Sequence, residues 1–281
     1  MTRTSAARLA TTERYSLAEG ILWDDRAKLA VWVDIHNGDL VRDLDAPVAL
    51  HLDDSVGAVA LAEDGGYLVA GRTHLITVAP DGTVGHGPNL LEDHPHSRFN
   101  DGIVDPEGRF IVGTAPIGER TDEEVLLRIS PDGSVETLRS GVTLSNGLAF
   151  SSDGTLLHVD TYAKTICAYS NGIWVPVLTE FTGHPDGITI DAEDRLWVAQ
   201  YGAGIVQRFS FEGEVLETVT IDTPEATCVG FLPQGLAITS GAESATDANA
   251  GAIYLADVSA TGLPENRWEG STTSPFWTTH K

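Results

Sequence analysis

Four residues spread along the chain carry side-chain oxygens at matching places: Glu19 before Gly20, Asn100 ahead of Asp101-Gly102, Asn146 before Gly147 and Asp186 before Gly187. Two carboxylates and two amides form a hard donor set. Converged on one axis, they would make an oxygen-rich cage suited to calcium, magnesium or manganese and, less selectively, to zinc or iron. Asp-Gly and Asn-Gly are also the commonest hairpin turns. The chain holds several pairs that read only that way: Asp81-Gly82, Asp132-Gly133, Asp153-Gly154 and Asn171-Gly172. The dipeptide itself leaves ligand and turn both open, so the elements around each pair must separate them.

Those elements recur. A polar residue, a glycine, an alternating apolar run, an Asp/Ser-rich turn and a second apolar run return about every ~40 residues. The units open at Glu19-Gly20, Val56-Gly57, Asn100-Asp101-Gly102, Asn146-Gly147 and Asp186-Gly187, with a weaker copy near Thr227 that resumes at GAIYLADV. The fifth shows the pattern most plainly: HPDGITIDAEDRLWVAQYGAG, His184 to Gly204, reads as strand, turn over Asp191 to Asp194, strand and small-residue bend. Each unit holds roughly four short runs, the content of one propeller blade. A twisted sheet with two apolar faces needs a neighbour on each side, and closing the ring removes most exposed edges. The expectation is therefore an all-β, six-bladed β-propeller, one domain over residues 1–281; a β-sandwich, the competing fold, does not predict six matching units. The run from Leu9 to Leu17 has no blade of its own and is expected to complete the last one as a strand. Polar insertions at 84–97, 115–124 and 241–250 are expected to frame a binding site.

In a propeller, the innermost strand of each blade lies against the central channel, so the residue just before it stands at the channel mouth. That place is held by Glu19, Val56 or Gly57, Asn100, Asn146, Asp186 and Thr227. Asp101 reads as a turn-fixing neighbour of Asn100. Asp34 and Asp160, in matching VWVDIH and HVDTY settings, read as structural or as supports behind the channel residues, and Trp23, Trp32 and Trp197 as core or channel wall. Among the histidines, only His184 adjoins a motif residue.

Composition excludes several classes. With 41 acidic against 17 basic residues the formal net charge is −24, which disfavours nucleic acid and anionic membrane surfaces and attracts cations. No apolar run approaches the ~18 residues of a membrane span. The two cysteines, Cys167 and Cys228, stand apart without metal-ligand spacing and read as buried free thiols. A cytoplasmic monomer or weak homo-oligomer is expected. No GxSxG elbow, HExxH, GxxxxGK or strand-linked GxGxxG is present, which sets aside serine-esterase, zincin and nucleotide-dependent chemistry.

The segments AEGILW, RFNDGIVDPEGRFIVGT, SNGLAF and PDGITIDAEDRLWVAQY together resemble the SMP-30/gluconolactonase (regucalcin-like) family over nearly the whole chain. The resemblance implies a six-bladed propeller with one divalent metal (Ca, Zn, Mn, Mg or Fe(II)) at the channel mouth, and hydrolysis of a sugar lactone to its hydroxy acid. It implies metal ligation by Glu19, Asn146 and Asp186, substrate contact by Arg98 and Asn100, and proton transfer by Asp186. Where regucalcin-type members place a substrate-binding glutamate after the GT motif, this chain has APIGE, leaving Gly118 or the displaced Glu119 there. Two other readings stand beside the lactonase. One is a metal-dependent hydrolase of another ester or phosphoester, or a secondary-metabolic enzyme reusing the site; the other is a non-catalytic, cation-binding propeller scaffold.

Overall fold

Short runs of β-branched and aromatic residues broken by tight turns form strands and nothing else. The computed structural model describes residues 3–120, 122–170, 172–244, 247–274 and 276, and among these it has strands but no helix. No helix is therefore long and apolar enough to cross a membrane. Asn171 of the expected Asn171-Gly172 turn, part of the 115–124 and 241–250 insertions, and the ends of the expected 1–281 unit lie outside the described residues.

The strands make six sheets, one per sequence unit. Blade one comprises β3 (Ala18–Asp24), β4 (Leu29–Asp34), β5 (Asp39–Arg42) and β6 (Val48–His51). Blade two comprises β7 (Ala58–Leu61), β8 (Tyr67–Ala70), β9 (Leu75–Val78) and β10 (Val84–His86). Blade three has β11 (Ser97–Val104), β12 (Phe110–Pro116), β13 (Glu124–Ile129) and β14 (Val135–Val142); blade four has β15 (Ser145–Phe150), β16 (Leu156–Asp160), β17 (Thr165–Ser170) and β18 (Ile173–Leu178). Blade five has β19 (His184–Ile190), β20 (Leu196–Tyr201), β21 (Ile205–Phe209) and β22 (Val215–Thr220), and blade six has β23 (Ala226–Leu232), β24 (Gly235–Ser240) and β25 (Tyr254–Ala256). The first strands β3, β7, β11, β15, β19 and β23 each touch the next, and β23 returns to β3, so the ring is closed. Apolar clusters fill the spaces between blades, with Trp32, Trp197 and Trp268 fully buried.

Closure differs in detail from the sequence expectation. Blade six takes its fourth strand from β2 (Arg8–Leu9), antiparallel to β25, while β1 (Arg3–Ala6) adds a parallel fifth strand to blade five. Leu9 thus joins the last blade as expected, but the run up to Leu17 does not continue as strand. It crosses to blade one instead, where the Asp34 carboxylate accepts the Ser16 and Leu17 N–H groups, both at 3.0 Å. At the far end of the chain, residues 257–269 run as a strap across the opposite mouth of the channel. Ala192 N–H bonds Thr261 O at 2.8 Å on blade five, and Trp268 N–H bonds Leu61 O at 2.8 Å on blade two.

Candidate functional site

A regular strand would alternate its side chains between faces, so another device must aim a polar residue into the channel. That device is a β-bulge repeated on five of the six inner strands. Asn100 and Asp101 oppose Gly113 alone, Asn146 and Gly147 oppose Val159, Asp186 and Gly187 oppose Ala199, and Thr227 and Cys228 oppose Thr239. On β3 the unpaired residues are Gly20 and Ile21, immediately after Glu19. Two residues facing one kink the strand and re-aim its side chains. Blade two keeps regular register, and there the matching residue is the buried, apolar Val56.

The glycines of these pairs are dictated by convergence. A Cβ on Gly147 would stand 2.3 Å from Asp186 O, and one on Gly187 would stand 2.6 Å from the Cα of Cys228. Neither glycine has a positive φ. Inner strands approach so closely that a side chain would collide with the next blade's backbone.

Glu19, Asn100, Asn146 and Asp186 are all at least nine-tenths buried and line a cavity of about 640 Å³ at the channel mouth, together with Arg98. A hydrogen-bond relay fixes the amides. Arg98 Nη1 donates to Asn100 Oδ1 at 2.7 Å, and Asn100 Nδ2 donates to Ser145 O at 2.9 Å and to Asn146 Oδ1 at 3.2 Å. Asn146 Nδ2 donates to Thr161 Oγ1 at 3.2 Å, which fixes the plane of the Asn146 amide. Ser145 is held in turn by His158, whose Nε2 lies 2.7 Å from the Ser145 hydroxyl while Nδ1 lies 2.9 Å from Arg139.

The charge of Glu19 bears on Asp186, and Arg98 offsets Glu19 only in part. Burial, followed by the charge of Asp101, raises the Glu19 pKa to about 8. Asp186 is pushed well above the ordinary carboxylate range by burial first, then by Glu19, Asp101 and Glu243. Its Oδ1 is buried without any hydrogen-bond partner. An unsatisfied buried carboxylate oxygen is costly, and a hard divalent cation is the partner that would relieve both the orphaned oxygen and the mutual repulsion. The donor set of two carboxylates and one oriented amide oxygen fits such an ion. Among the described residues no cluster of three or more His, Cys, Asp or Glu side chains is placed for a metal, so the amide belongs to the candidate set.

Not every expected residue behaves as read. Asp101 stands in the bulge rather than in a turn: its Oδ1 accepts the Gly102 N–H at 2.7 Å, and its charge bears on Glu19 and Asp186. It keeps partial access to the channel, yet surrounding protein raises its pKa to about 6. Thr227 contributes no free oxygen, because its hydroxyl donates to Ala18 O at 2.6 Å and closes blade six onto blade one. Glu119 is exposed and does not line the cavity, whereas Gly118 does. Of the three insertions, 115–124 and 241–250 supply lining residues, but 84–97 does not. That segment is consumed by β10 and the crossover from blade two to blade three, where His96 O accepts Ile117 N–H at 2.7 Å. His184 lines the cavity beside Asp186, with its Nδ1 buried and unpartnered. Asp34 and Asp160 are structural, each accepting N–H groups from neighbouring segments, and Cys167 and Cys228 are buried free thiols. Of the other mouth residues, Arg72 and Tyr162 sit on connections outside the repeat and carry no sequence signal, Arg120 and Glu243 fall within the insertions 115–124 and 241–250, and Tyr201 ends β20.

A larger cleft of about 860 Å³ opens on the opposite face under the C-terminal strap. There Arg26 bonds Glu63 at 2.6 Å and Arg267 pairs with Asp25. Glu19, and Asp186 whose pKa its charge helps to raise, line the other mouth.

Known proteins agree with this architecture. The pattern of the SMP-30/Gluconolactonase/LRE-like region matches residues 17–242. A 6-deoxy-6-sulfogluconolactonase from Pseudomonas putida is 34% identical over 232 residues, covering 76% of this chain and 79% of the relative. A pentonolactonase from Haloferax volcanii is 32% identical over 279 residues, covering 89% and 94%. The solved structure of regucalcin, a calcium-binding protein from Agrobacterium tumefaciens, superposes with a TM-score of 0.88 at 23% identity, covering 96% of this chain and 99% of its own. The closed ring of six blades and the extent of these matches lead to one conclusion: the chain belongs to the SMP-30/gluconolactonase/LRE-like family.

Proposed function

We propose that the protein is a metal-dependent lactonase that opens a sugar lactone or related lactone to its hydroxy acid. The observation that carries this is the buried Asp186 Oδ1, without a partner, facing Glu19 and Asn146 at the mouth of a cavity of about 640 Å³. Relatives named as lactonases support the bond type. Glu19, Asn146 and Asp186 would hold the ion. A divalent cation bound there would polarise the lactone carbonyl and stabilise negative charge on its oxygen.

The chain's own residues do the rest. Arg98 and Asn100 are locked to each other and to Asn146, so they present fixed donors to a ring lying over the acids. Asp186 holds two oxygens in different settings. One can face the ion, while the other takes a proton from the attacking water and later returns it to the ring oxygen as the acyl bond breaks; such general acid–base help contributes ~10²–10⁴-fold. Burial keeps competing water few and strengthens the charges. Ring opening, followed with a pH indicator over sugar and plain lactones, tests the proposal with chelator-stripped protein and after addition of each divalent ion. Turnover that depends on an added ion is expected, and no turnover of any lactone with any ion would overturn it.

A further inference from the structure

The chain has only 17 basic residues against 41 acidic ones, yet three arginines line this single cavity: Arg72, Arg98 and Arg120. They come from blades two and three. Arg72 follows β8, Arg98 stands on β11, and Arg120 lies between β12 and β13. Blades six and one bring the opposite sign to the other side of the mouth, where Glu243 lies 2.8 Å from His36 Nε2. The mouth is therefore polarised, and its floor, Glu19 and Asp186, is acidic.

None of the three guanidiniums is neutralised by a close buried acid. Arg98 spends Nη1 on Phe99 O at 3.0 Å and Asn100 Oδ1 at 2.7 Å, and it makes no ion pair among the described residues. Glu243, Glu19 and Glu124 face it only at longer range. The Arg72 guanidinium has Asp54 at 3.9 Å, itself 84% exposed, while Asp53 accepts the Arg72 backbone N–H at 2.7 Å. Arg120 pairs with the exposed Asp122 and stacks over the Tyr162 ring at 5.1 Å. Exposed pairs of this kind are screened and readily exchanged for a ligand.

A neutral sugar lactone has no need of three cations. An anionic one does, because a chain of net charge −24 repels an anion overall and a cluster of arginines offsets that locally. The geometry points to a substrate lactone that carries a second, anionic group, a carboxylate, sulfonate or phosphate, held by Arg72, Arg98 and Arg120 while the ring carbonyl faces Glu19, Asn146 and Asp186. This rests on the lactonase reading. Attraction on one side and the acidic floor on the other permit a single orientation, with the anion toward blades two and three and the reacting carbonyl over the acids.

The test compares kcat/KM for lactones of one ring size that are neutral or bear a carboxylate, a sulfonate or a phosphate. It uses wild-type protein, Arg72→Gln, Arg120→Gln and, as a charge-matched control on the opposite face, Arg26→Gln. Wild type is expected to favour at least one anionic lactone over the neutral one by about tenfold or more, less so at high salt. Each mouth variant should cut that ratio severalfold, and Arg26→Gln should preserve it. Equal rates, a preference for the neutral lactone, or a ratio unmoved by both mouth variants would overturn the inference. Calorimetric binding of the matching hydroxy acids decides it even if no ring opens. The acid with the extra anion must bind more tightly than the neutral-tailed acid and lose that advantage in Arg72→Gln or Arg120→Gln; equal binding sinks the inference while turnover alone judges the lactonase reading.

Discussion

The same dipeptide does opposite things at the rim and at the axis of this propeller. At the rim, Asp81-Gly82, Asp132-Gly133 and Asp153-Gly154 form turns in which the carboxylate accepts the N–H two residues on, at 2.9, 2.9 and 3.0 Å. These N–H bonds for Asp81 and Asp132, and first the Ser151 hydroxyl for Asp153, hold all three acids below the ordinary range. Their glycines have φ of 87°, 89° and 83°, and at Gly82 and Gly154 nothing lies within 4 Å of the place a Cβ would take. At the axis, Glu19-Gly20, Asn146-Gly147 and Asp186-Gly187 sit at bulges, and both acids are raised rather than lowered. Glycine at the rim serves backbone conformation, whereas Gly147 and Gly187 serve close approach. The difference teaches that location in the repeat, not residue type, turns a corner residue into a candidate ligand.

The largest way to break this comparison is to remove an acid from each place. Asp186→Ala should lower kcat/KM for lactone opening by at least ~10²-fold, since it loses both a candidate ligand and the proton carrier. Asp153→Ala should leave activity within about twofold, because an exposed turn acid touches no part of the site. Comparable losses in the two variants would erase the distinction.

Next come the glycines. Gly187→Ala forces a Cβ to within 2.6 Å of the Cys228 Cα, where overpacking costs about 1–3 kcal/mol or more. Gly154→Ala meets open space and carries only the left-handed backbone penalty of about 1 kcal/mol. Urea unfolding should rank the first below the second, and its site should bind cations more weakly as well.

A smaller effect separates the two groups by pH. The Glu19 pKa, ordinarily 4.5, stands at about 8 in the folded, cation-free protein. Its protonated form is favoured by folding, so its contribution is full below 4.5 and is lost as pH rises through about 8. Thermal unfolding in chelator should therefore show a declining Tm between about pH 5 and 8, and both Glu19→Gln and an added divalent ion should flatten that decline. Rim acids, whose pKa values are lowered, act with the reverse sign: their contribution is lost only as the solution turns acid.

Much of this is legible in the sequence. Six repeating units announce six blades, and the polar residue opening each unit marks Glu19, Asn100, Asn146 and Asp186 as neighbours in space. Asp101 reads as a turn residue because a strand pattern carries no mark of a bulge, and only the pairing of Phe99 with Thr114 and Gly102 with Val112 exposes it. The split N-terminus and the strap over residues 257–269 are illegible for a related reason. Their partners lie in distant blades, and short irregular segments hold no periodicity from which such pairing could be inferred. Arg72 belongs to the same class, since it lies on a connection outside the repeat, whereas Arg98 is marked by its motif and Arg120 by the 115–124 insertion.

The central claim, that the axial acids form a cation site, is tested most directly by calorimetric titration of a divalent ion into chelator-stripped protein near pH 7, in buffers of different ionisation enthalpy. One ion should bind the wild type with release of protons, because Glu19 and Asp186 give up protons that burial had retained. Asp153→Asn should bind alike, and Asp186→Asn at least about a hundredfold more weakly. Equal affinity in Asp186→Asn, or binding without proton release, would contradict the account.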